Sequence, residues 1–306
     1  MARPVIIMSI TDIRPMGSGG AREGNATYKQ FPLDTGVPGT SLEFSWNAYD
    51  TGYATPRHKH AFDQFRYALD GDRQIKDGYL KPGDCGFYPE GVPYGPQLQK
   101  MPSTGLGLQF QGPEGIPYET HAELRAARER LSARGGTFAN GVYTVVRADG
   151  RKINKDSHMA CWEEAAGMKF RYPPPRFGAP IVVKGDNERW VMDRRFPGVE
   201  HKHFGTFGDR RSAARLLRLE PGARIPAHAT EDAEIFYLID GSITYDGKTW
   251  LGGKTADRGT YMYLPHGGAQ VKEIGSETGG TFFILSLPLV ADIEMELAAT
   301  KEKVPA

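Results

Sequence analysis

The chain has 306 residues, of which 39% are hydrophobic and 25% are charged, so it can bury a core and is not a disordered polypeptide. Its formal net charge of +1 gives no reason to expect a nucleic-acid partner or an anionic membrane surface. No apolar run approaches the roughly 18 residues that a membrane-spanning helix needs, and two cysteines are too few for a disulfide framework. We therefore expect a soluble, cytoplasmic protein.

Short apolar runs that stop at glycine or proline predict β-strands in both halves of the chain. The run 65–69 ends at Asp70-Gly71, and the run 87–88 ends at Pro89. Similar runs follow at 235–239 and 261–264. Together with 38 glycines and 22 prolines, these runs favour small all-β barrels of the jelly-roll type.

Helices are predicted to be few, short and peripheral. The clearest begins after Thr120, a typical N-cap with Glu123 three residues later, and ends at Gly135. Its apolar positions form one stripe, so we expect it to pack on the outside of a barrel. The proline-rich segment 171–176 cannot form a regular helix and is interpreted as part of a connector.

The two halves repeat each other. Gly52, His58, His60, Gln64 and Gly71 have counterparts 170 residues later, and a second string that runs from 83 to 94 has counterparts 176 residues later. A single change of loop length therefore relates the copies. We predict an N-terminal barrel at 1–150, a connector at 151–180 and a C-terminal barrel at 181–306.

These strings resemble the two motifs of the cupin superfamily, G-x5-H-x-H-x3-E-x6-G and G-x5-P-x-G-x2-H. The resemblance covers about 40–112 and 205–290 and is strongest to bacterial bicupins, which carry two cupin barrels in one chain. It implies two tandem jelly-roll barrels. It also implies that the two histidines and the glutamate of the first motif, with the histidine of the second, are metal ligands.

Carried over residue by residue, the resemblance gives the first barrel the candidate ligands His58, His60, Gln64 and Tyr94. His58 and His60 share one side of an extended segment, as two ligands of Fe, Zn, Ni, Cu or Mn would. We expect at most one divalent transition metal per chain, at His58, His60 and Gln64, with Tyr94 as a fourth ligand or a proton donor. The alternative is a metal-free polar pocket in which the same side chains hydrogen-bond to one another.

The second barrel retains only part of the ligand set. His228 and Glu234 are the candidates there, because Thr230 and Gln270 are poor ligands for a transition metal. We interpret this barrel as degenerate, retained for stability and dimerisation, and the alternative is a metal-free binding pocket.

The other ionisable side chains receive structural interpretations. We expect His121 and His158 at the surface, Arg66 and Glu90 at a barrel mouth, and both cysteines as small buried apolar residues.

The resemblance implies a metal-assisted enzyme that acts on a small organic substrate in the N-terminal barrel, and dioxygenase-like oxidation is the leading hypothesis. One alternative is a redox-neutral isomerase, lyase or cyclase in which Tyr94 moves a proton. The other is a non-catalytic binding or storage protein. In each case we expect a homodimer with neither a nucleic-acid nor a membrane partner.

Overall fold

The computed structural model describes residues 3–17, 24–33, 42–75, 78–116, 118–139 and 141–288. This part of the chain is built almost entirely from antiparallel strands, with two α-helices, so the predicted all-β fold of two jelly-roll barrels is confirmed. Neither of the described helices is long and apolar enough to cross a membrane.

The N-terminal half contributes eleven strands, most of them short and ended by glycine or proline turns. They are β1 (Ile6–Ser9), β2 (Met16–Gly17), β3 (Ala26–Phe31), β4 (Leu42–Tyr49), β5 (Ala54–Thr55), β6 (Phe62–Asp70), β7 (Arg73–Ile75), β8 (Gly78–Leu80), β9 (Cys85–Tyr88), β10 (Gln97–Leu98) and β11 (Ser103–Gln111).

A small helical and hairpin unit follows, which we call the insert. It comprises α1 (His121–Ala133), β12 (Thr137–Ala139), β13 (Val142–Val146), β14 (Lys152–Asp156) and α2 (Ser157–Ala166).

The C-terminal half contributes the remaining strands. They are β15 (Ile181–Val183), β16 (Val191–Met192), β17 (Val199–Phe207), β18 (Ser212–Leu219), β19 (Arg224–Ile225), β20 (His228–Thr230), β21 (Ala233–Tyr245), β22 (Lys248–Leu251), β23 (Thr260–Leu264), β24 (Ala269–Val271), β25 (Ile274–Gly275) and β26 (Gly280–Leu287).

The helix predicted at Thr120 is confirmed as α1. The Thr120 side chain accepts a hydrogen bond from the Glu123 backbone N–H, and the Glu123 side chain accepts one from the Thr120 N–H, which is a complete capping box. The apolar stripe of α1 does not lie on a barrel exterior, however. Ala127 and Leu131 pack against Ala160 of α2, because the connector contains a second helix that the sequence did not predict.

The two barrels exchange strands. The main sheet of the N-terminal barrel has the order β15-β9-β6-β11-β4-β3-β2, and that of the C-terminal barrel runs β1-β23-β21-β26-β18-β17-β16. β1 therefore pairs with the C-terminal sheet and β15 with the N-terminal one. The division into 1–150, 151–180 and 181–306 stays a prediction, and the strand pairing crosses it at both ends.

A large apolar core lies between the two sheets. Phe65 and Tyr67 of β6 face the C-terminal sheet, where the ring of Tyr67 stacks on that of Phe283 with centroids 4.3 Å apart. Phe31 similarly stacks on Tyr261 at 4.6 Å. Buried aromatic pairs of this kind stabilise a structure beyond the area they remove from water.

The interiors of the two barrels differ in chemistry. The C-terminal barrel is filled by apolar side chains from β18, β21, β23 and β26, including Leu217, Phe236, Met262 and Phe282. The N-terminal barrel instead turns Asn47, Gln64 and Arg66 inward. The N-terminal barrel therefore encloses a polar cavity at positions that the two motifs predict.

Two buried carboxyl groups lie where the barrels meet. Asp63 Oδ1 accepts a hydrogen bond of 2.8 Å from the Glu90 N–H, and Gly208 of the C-terminal barrel lies directly against Asp63. Burial raises the pKa of Asp63 to about 6, and burial together with the charge of Asp63 raises that of Glu90 to about 7. Glu90 was expected at a barrel mouth but is 1% exposed.

The free energy of unfolding should fall as the pH rises from about 4 to about 7. The folded chain holds protons on Asp63 and Glu90 that the unfolded chain loses near pH 4, so the stabilisation is complete below pH 4 and is lost by about pH 7. We expect the free energy of unfolding to decrease by on the order of 4 kcal/mol between pH 5 and pH 8. Denaturation by urea at both pH values measures it.

Asp63→Asn should weaken the pH dependence of the free energy of unfolding. The amide oxygen still accepts the Glu90 N–H but carries no charge at any pH. Asp246→Asn, at an exposed turn, is the matched control and should leave the dependence unchanged. The account would be contradicted if the free energy of unfolding of the wild-type chain increased from pH 5 to pH 8 and Asp63→Asn removed that increase.

Candidate functional site

A cavity of about 140 Å³ opens inside the N-terminal barrel. Its walls come from the inward faces of β4, β6 and β11 and from the loop that carries His58 and His60. Both helices of the insert close it from the other side, through side chains such as Leu124 and Cys161. The insert therefore forms part of the site and not a separate module.

Backbone pairing brings the two motif loops together. His58 and Tyr94 form an isolated antiparallel bridge, in which the His58 N–H donates to the Tyr94 carbonyl at 3.0 Å and the Tyr94 N–H returns the bond at 2.9 Å. The Gly91 N–H donates to the His60 carbonyl at 2.7 Å. The two histidine rings consequently lie 4.9 Å apart, and that of Tyr94 lies 4.4 Å from His58.

The Tyr94 hydroxyl lies between an imidazole and a guanidinium. It is 2.5 Å from His60 Nε2, and it accepts a hydrogen bond of 2.9 Å from Arg66 Nη2. The Tyr94 hydroxyl therefore connects the Arg66 guanidinium to the His60 imidazole. Tyr94 itself is not among the residues that line the cavity, whereas His60 and Arg66 are.

Arg66 is a buried cation at the floor of the cavity, and not a charge at the mouth as the sequence suggested. Its Nε donates to Gln64 Oε1 at 2.7 Å and its Nη1 to Gln97 Oε1 at 3.3 Å. The guanidinium also lies 4.3 Å from the centre of the Tyr88 ring. Burial disfavours its charge, but the neighbouring tyrosine hydroxyls outweigh burial, so the pKa of Arg66 lies above its ordinary value.

The predicted four-residue ligand set does not fit a divalent metal. Two of its members, Gln64 and Tyr94, offer their oxygens to Arg66. A divalent ion about 4 Å from a guanidinium is repelled by about 8 kcal/mol at an effective dielectric constant of 20. In the described part of the chain, no three His, Cys, Asp or Glu side chains come together as a metal site requires.

A carboxylate–imidazole pair faces the same cavity. His121 lines it, and its Nδ1 lies 2.5 Å from Oε1 of Glu43, which is buried. The His121 backbone N–H donates to the other carboxylate oxygen at 3.1 Å. Burial alone raises the pKa of Glu43, but the charge of His121 and its hydrogen bonds outweigh burial, and the pKa lies below its ordinary value.

Sequence reasoning missed much of this site, because the missing side chains lie far from the motifs along the chain. His121 and His158, expected at the surface, both line the cavity, and the His158 ring lies 5.8 Å from that of His60. Three tyrosines of β3, β4 and the following turn, Tyr28, Tyr49 and Tyr53, also line it. The capping box at Thr120 was the one available signal, since it fixes where α1 begins.

Both cysteines are buried, as predicted. Burial raises the pKa of Cys161 to about 11, which keeps the thiol protonated at neutral pH and makes it a poor nucleophile.

The candidates of the second barrel do not meet in a polar interior. His228 is exposed, and its Nδ1 is 3.0 Å from the Pro226 carbonyl, just as His58 Nδ1 is 2.7 Å from that of Pro56. Oε1 of Glu234 accepts from Arg215 at 2.8 Å and from Ser286 at 2.5 Å. The duplicated backbone geometry is thus retained in a barrel that is otherwise filled with apolar side chains.

Comparison with known proteins identifies the fold. The family model of the ChrR Cupin-like domain matches residues 179–290. No curated protein matches the sequence.

Solved structures match nearly the whole chain. A proposed dioxygenase from Nostoc punctiforme has a TM-score of 0.63 at 12% identity, with 94% of this chain and 83% of that chain covered. Oxalate decarboxylase from Bacillus subtilis has a TM-score of 0.52 at 14% identity, with 94% and 77% covered. A further structure of that enzyme, from a study of its Mn(II) centres, has a TM-score of 0.51 at 14% identity, with 94% and 78% covered.

Removal of the Arg66 charge should increase metal affinity. We expect the purified chain to contain clearly less than one transition metal per molecule, and Arg66→Gln to bind Mn²⁺ or Zn²⁺ at least about tenfold more tightly because the repulsion is gone. Elemental analysis and calorimetric titration measure these quantities. Arg57→Gln, an exposed neighbour, is the control. One equivalent of metal in the wild-type chain, lost in His60→Ala, would contradict the argument.

Proposed function

We propose that the chain, whose fold is shared with these solved structures, is a cupin enzyme whose small organic substrate binds in the cavity of the N-terminal barrel. The reaction that the geometry supports best is a redox-neutral proton transfer, as in an isomerase or a lyase. The observation that carries this proposal is the contact between the buried Glu43 carboxylate and the imidazole of His121, which lines the cavity.

His121 is the proposed general base. Its Nδ1 proton is donated to Glu43, so the neutral ring carries no proton on Nε2 and can accept one there. The carboxylate fixes the ring and stabilises the imidazolium that forms. Glu43 can do so because it also accepts the His121 backbone N–H, which stabilises the carboxylate in spite of burial.

The opposite side of the cavity supplies positive charge and a second titratable group. The Arg66 guanidinium is fixed by three hydrogen bonds, so it can stabilise negative charge that develops on the substrate without reorganising. The imidazolium form of His60, hydrogen-bonded to the Tyr94 hydroxyl, is the proposed donor of the returning proton, and it becomes the neutral imidazole when the proton leaves. Tyr94 is a positioning residue here, because it acts through His60.

Metal-assisted oxidation, the leading hypothesis from sequence, is the second candidate. Two observations favour it: the rings of His58 and His60 lie 4.9 Å apart in the cavity, and the fold is shared with a proposed dioxygenase and with an enzyme that has Mn(II) centres. A divalent metal would then be held by these two imidazoles. The titration of Arg66→Gln described above separates the two candidates.

His121→Asn should abolish most of the activity. The amide N–H can replace Nδ1 as the donor to Glu43 while the accepting Nε2 is lost, so we expect kcat to fall by about 10²- to 10⁴-fold. The assay is ¹H NMR of a panel of small organic acids and of a cell extract incubated with the protein. His228→Asn, an exposed histidine of the other barrel, is the control.

Full activity of His121→Asn would contradict the assigned role. If the wild-type protein converts no compound but retains one from the extract, the non-catalytic alternative is correct and the enzyme proposal is wrong.

Tyr94→Phe tests the other side of the cavity. Loss of the hydroxyl removes the hydrogen bond to His60 and one acceptor of Arg66, so we expect kcat to fall on the order of 10²-fold and the pH profile of kcat to shift. Tyr88→Phe is the matched control, since its ring also lies against Arg66 but its hydroxyl makes no hydrogen bond to any residue that the structure describes. A Tyr94→Phe enzyme with the wild-type pH profile and a rate within a few-fold would show that the hydroxyl is only a packing group.

A further inference from the structure

We infer that the ligand of this cavity is a small aliphatic dicarboxylate, bound by Arg66 at one end and by arginines of α1 at the other. The inference deepens the proposed function, because it concerns the same cavity. It depends on the charge of the walls: four arginines, Arg66, Arg73, Arg125 and Arg128, line the cavity, and the described lining residues include no carboxylate.

The floor of the cavity has an unfilled fork of donors. Of the five N–H groups of a guanidinium, Arg66 uses one on Nε, one on Nη1 and one on Nη2 for its described contacts, all of them to neutral oxygens. Two N–H groups remain on a side chain that is 6% exposed. A buried cation whose contacts are all neutral is costly, and an anion that enters the cavity removes that cost. A planar carboxylate matches two such donors with its two oxygens.

The second anionic group is assigned to the insert. Arg125 and Arg128 lie three residues apart on α1, so they share one face of the helix, and both line the cavity. The Arg128 guanidinium lies 4.3 Å from the centre of the Phe138 ring, which helps to hold it in place. Positive charge on the barrel floor and on the insert thus faces one space from two sides.

The size of the cavity limits the ligand. A cavity of about 150 Å³ holds a molecule the size of benzene, so about 140 Å³ suits a chain of a few carbon atoms between two carboxylates.

Calorimetric titration of the full chain tests the inference. The probes are malonate, succinate and glutarate, the monoanion butyrate, neutral succinamide, and inorganic phosphate. We expect one dicarboxylate to bind about 10- to 100-fold more tightly than butyrate, since each charge-assisted contact contributes that much, and succinamide not to bind.

The variants assign the two ends. Arg125→Gln and Arg128→Gln should reduce dicarboxylate affinity to about that of butyrate and leave butyrate unchanged, whereas Arg66→Gln should weaken both. Arg147→Gln, an exposed arginine of the insert, is the control.

Equal affinity for butyrate and all dicarboxylates, or tighter binding of inorganic phosphate, would overturn the inference. His121→Asn should retain dicarboxylate binding within a few-fold, so a failure of the acid–base proposal leaves this result intact. Conversely, turnover of a neutral compound that depends on His121, with no dicarboxylate binding, would refute the inference alone.

Discussion

The buried charge of Arg66 is the constraint around which the N-terminal barrel is organised. A guanidinium inside a barrel costs several kcal/mol unless polar groups surround it, and here three oxygens and an aromatic face do so. The same strand, β6, turns Phe65 and Tyr67 to its other side, where they enter the core between the barrels. Because side chains alternate along a strand, one segment can hold a charged cavity on one face and an apolar interface on the other.

The two copies of the repeat consequently have different tasks. The C-terminal barrel closes on an apolar interior, which resembles an ordinary protein core and contributes stability. The N-terminal barrel has no such stabilisation from an apolar interior, since its interior is polar and partly open. Strand exchange through β1 and β15, and the aromatic core between the sheets, join the two so that the apolar barrel supports the polar one.

The sequence predicted the architecture well, because glycine and proline positions and alternating strands are local signals. It also placed His58, His60 and Tyr94 together, since two motif loops of one barrel must meet. It could not predict that Arg66 donates to Gln64 and Tyr94, the positions that a resemblance to metal-binding relatives assigns to ligands. Nor could it predict the hydrogen bond between His121 and Glu43, which lies 78 residues earlier, because that contact depends on how the insert folds over the barrel.

Glu43 links the docking of the insert to the proposed catalytic function of His121. Its carboxylate accepts the backbone N–H of His121, one of the donors that the first turn of a helix leaves unpaired, and it is a negative charge at the positive end of α1. The same carboxylate orients the imidazole through Nδ1. The contact that docks the helix on the barrel is thus also the contact that prepares the proposed base, and the arginines of α1 are brought to the cavity by the same attachment. A barrel without the insert would lose its base and half of its positive charge together.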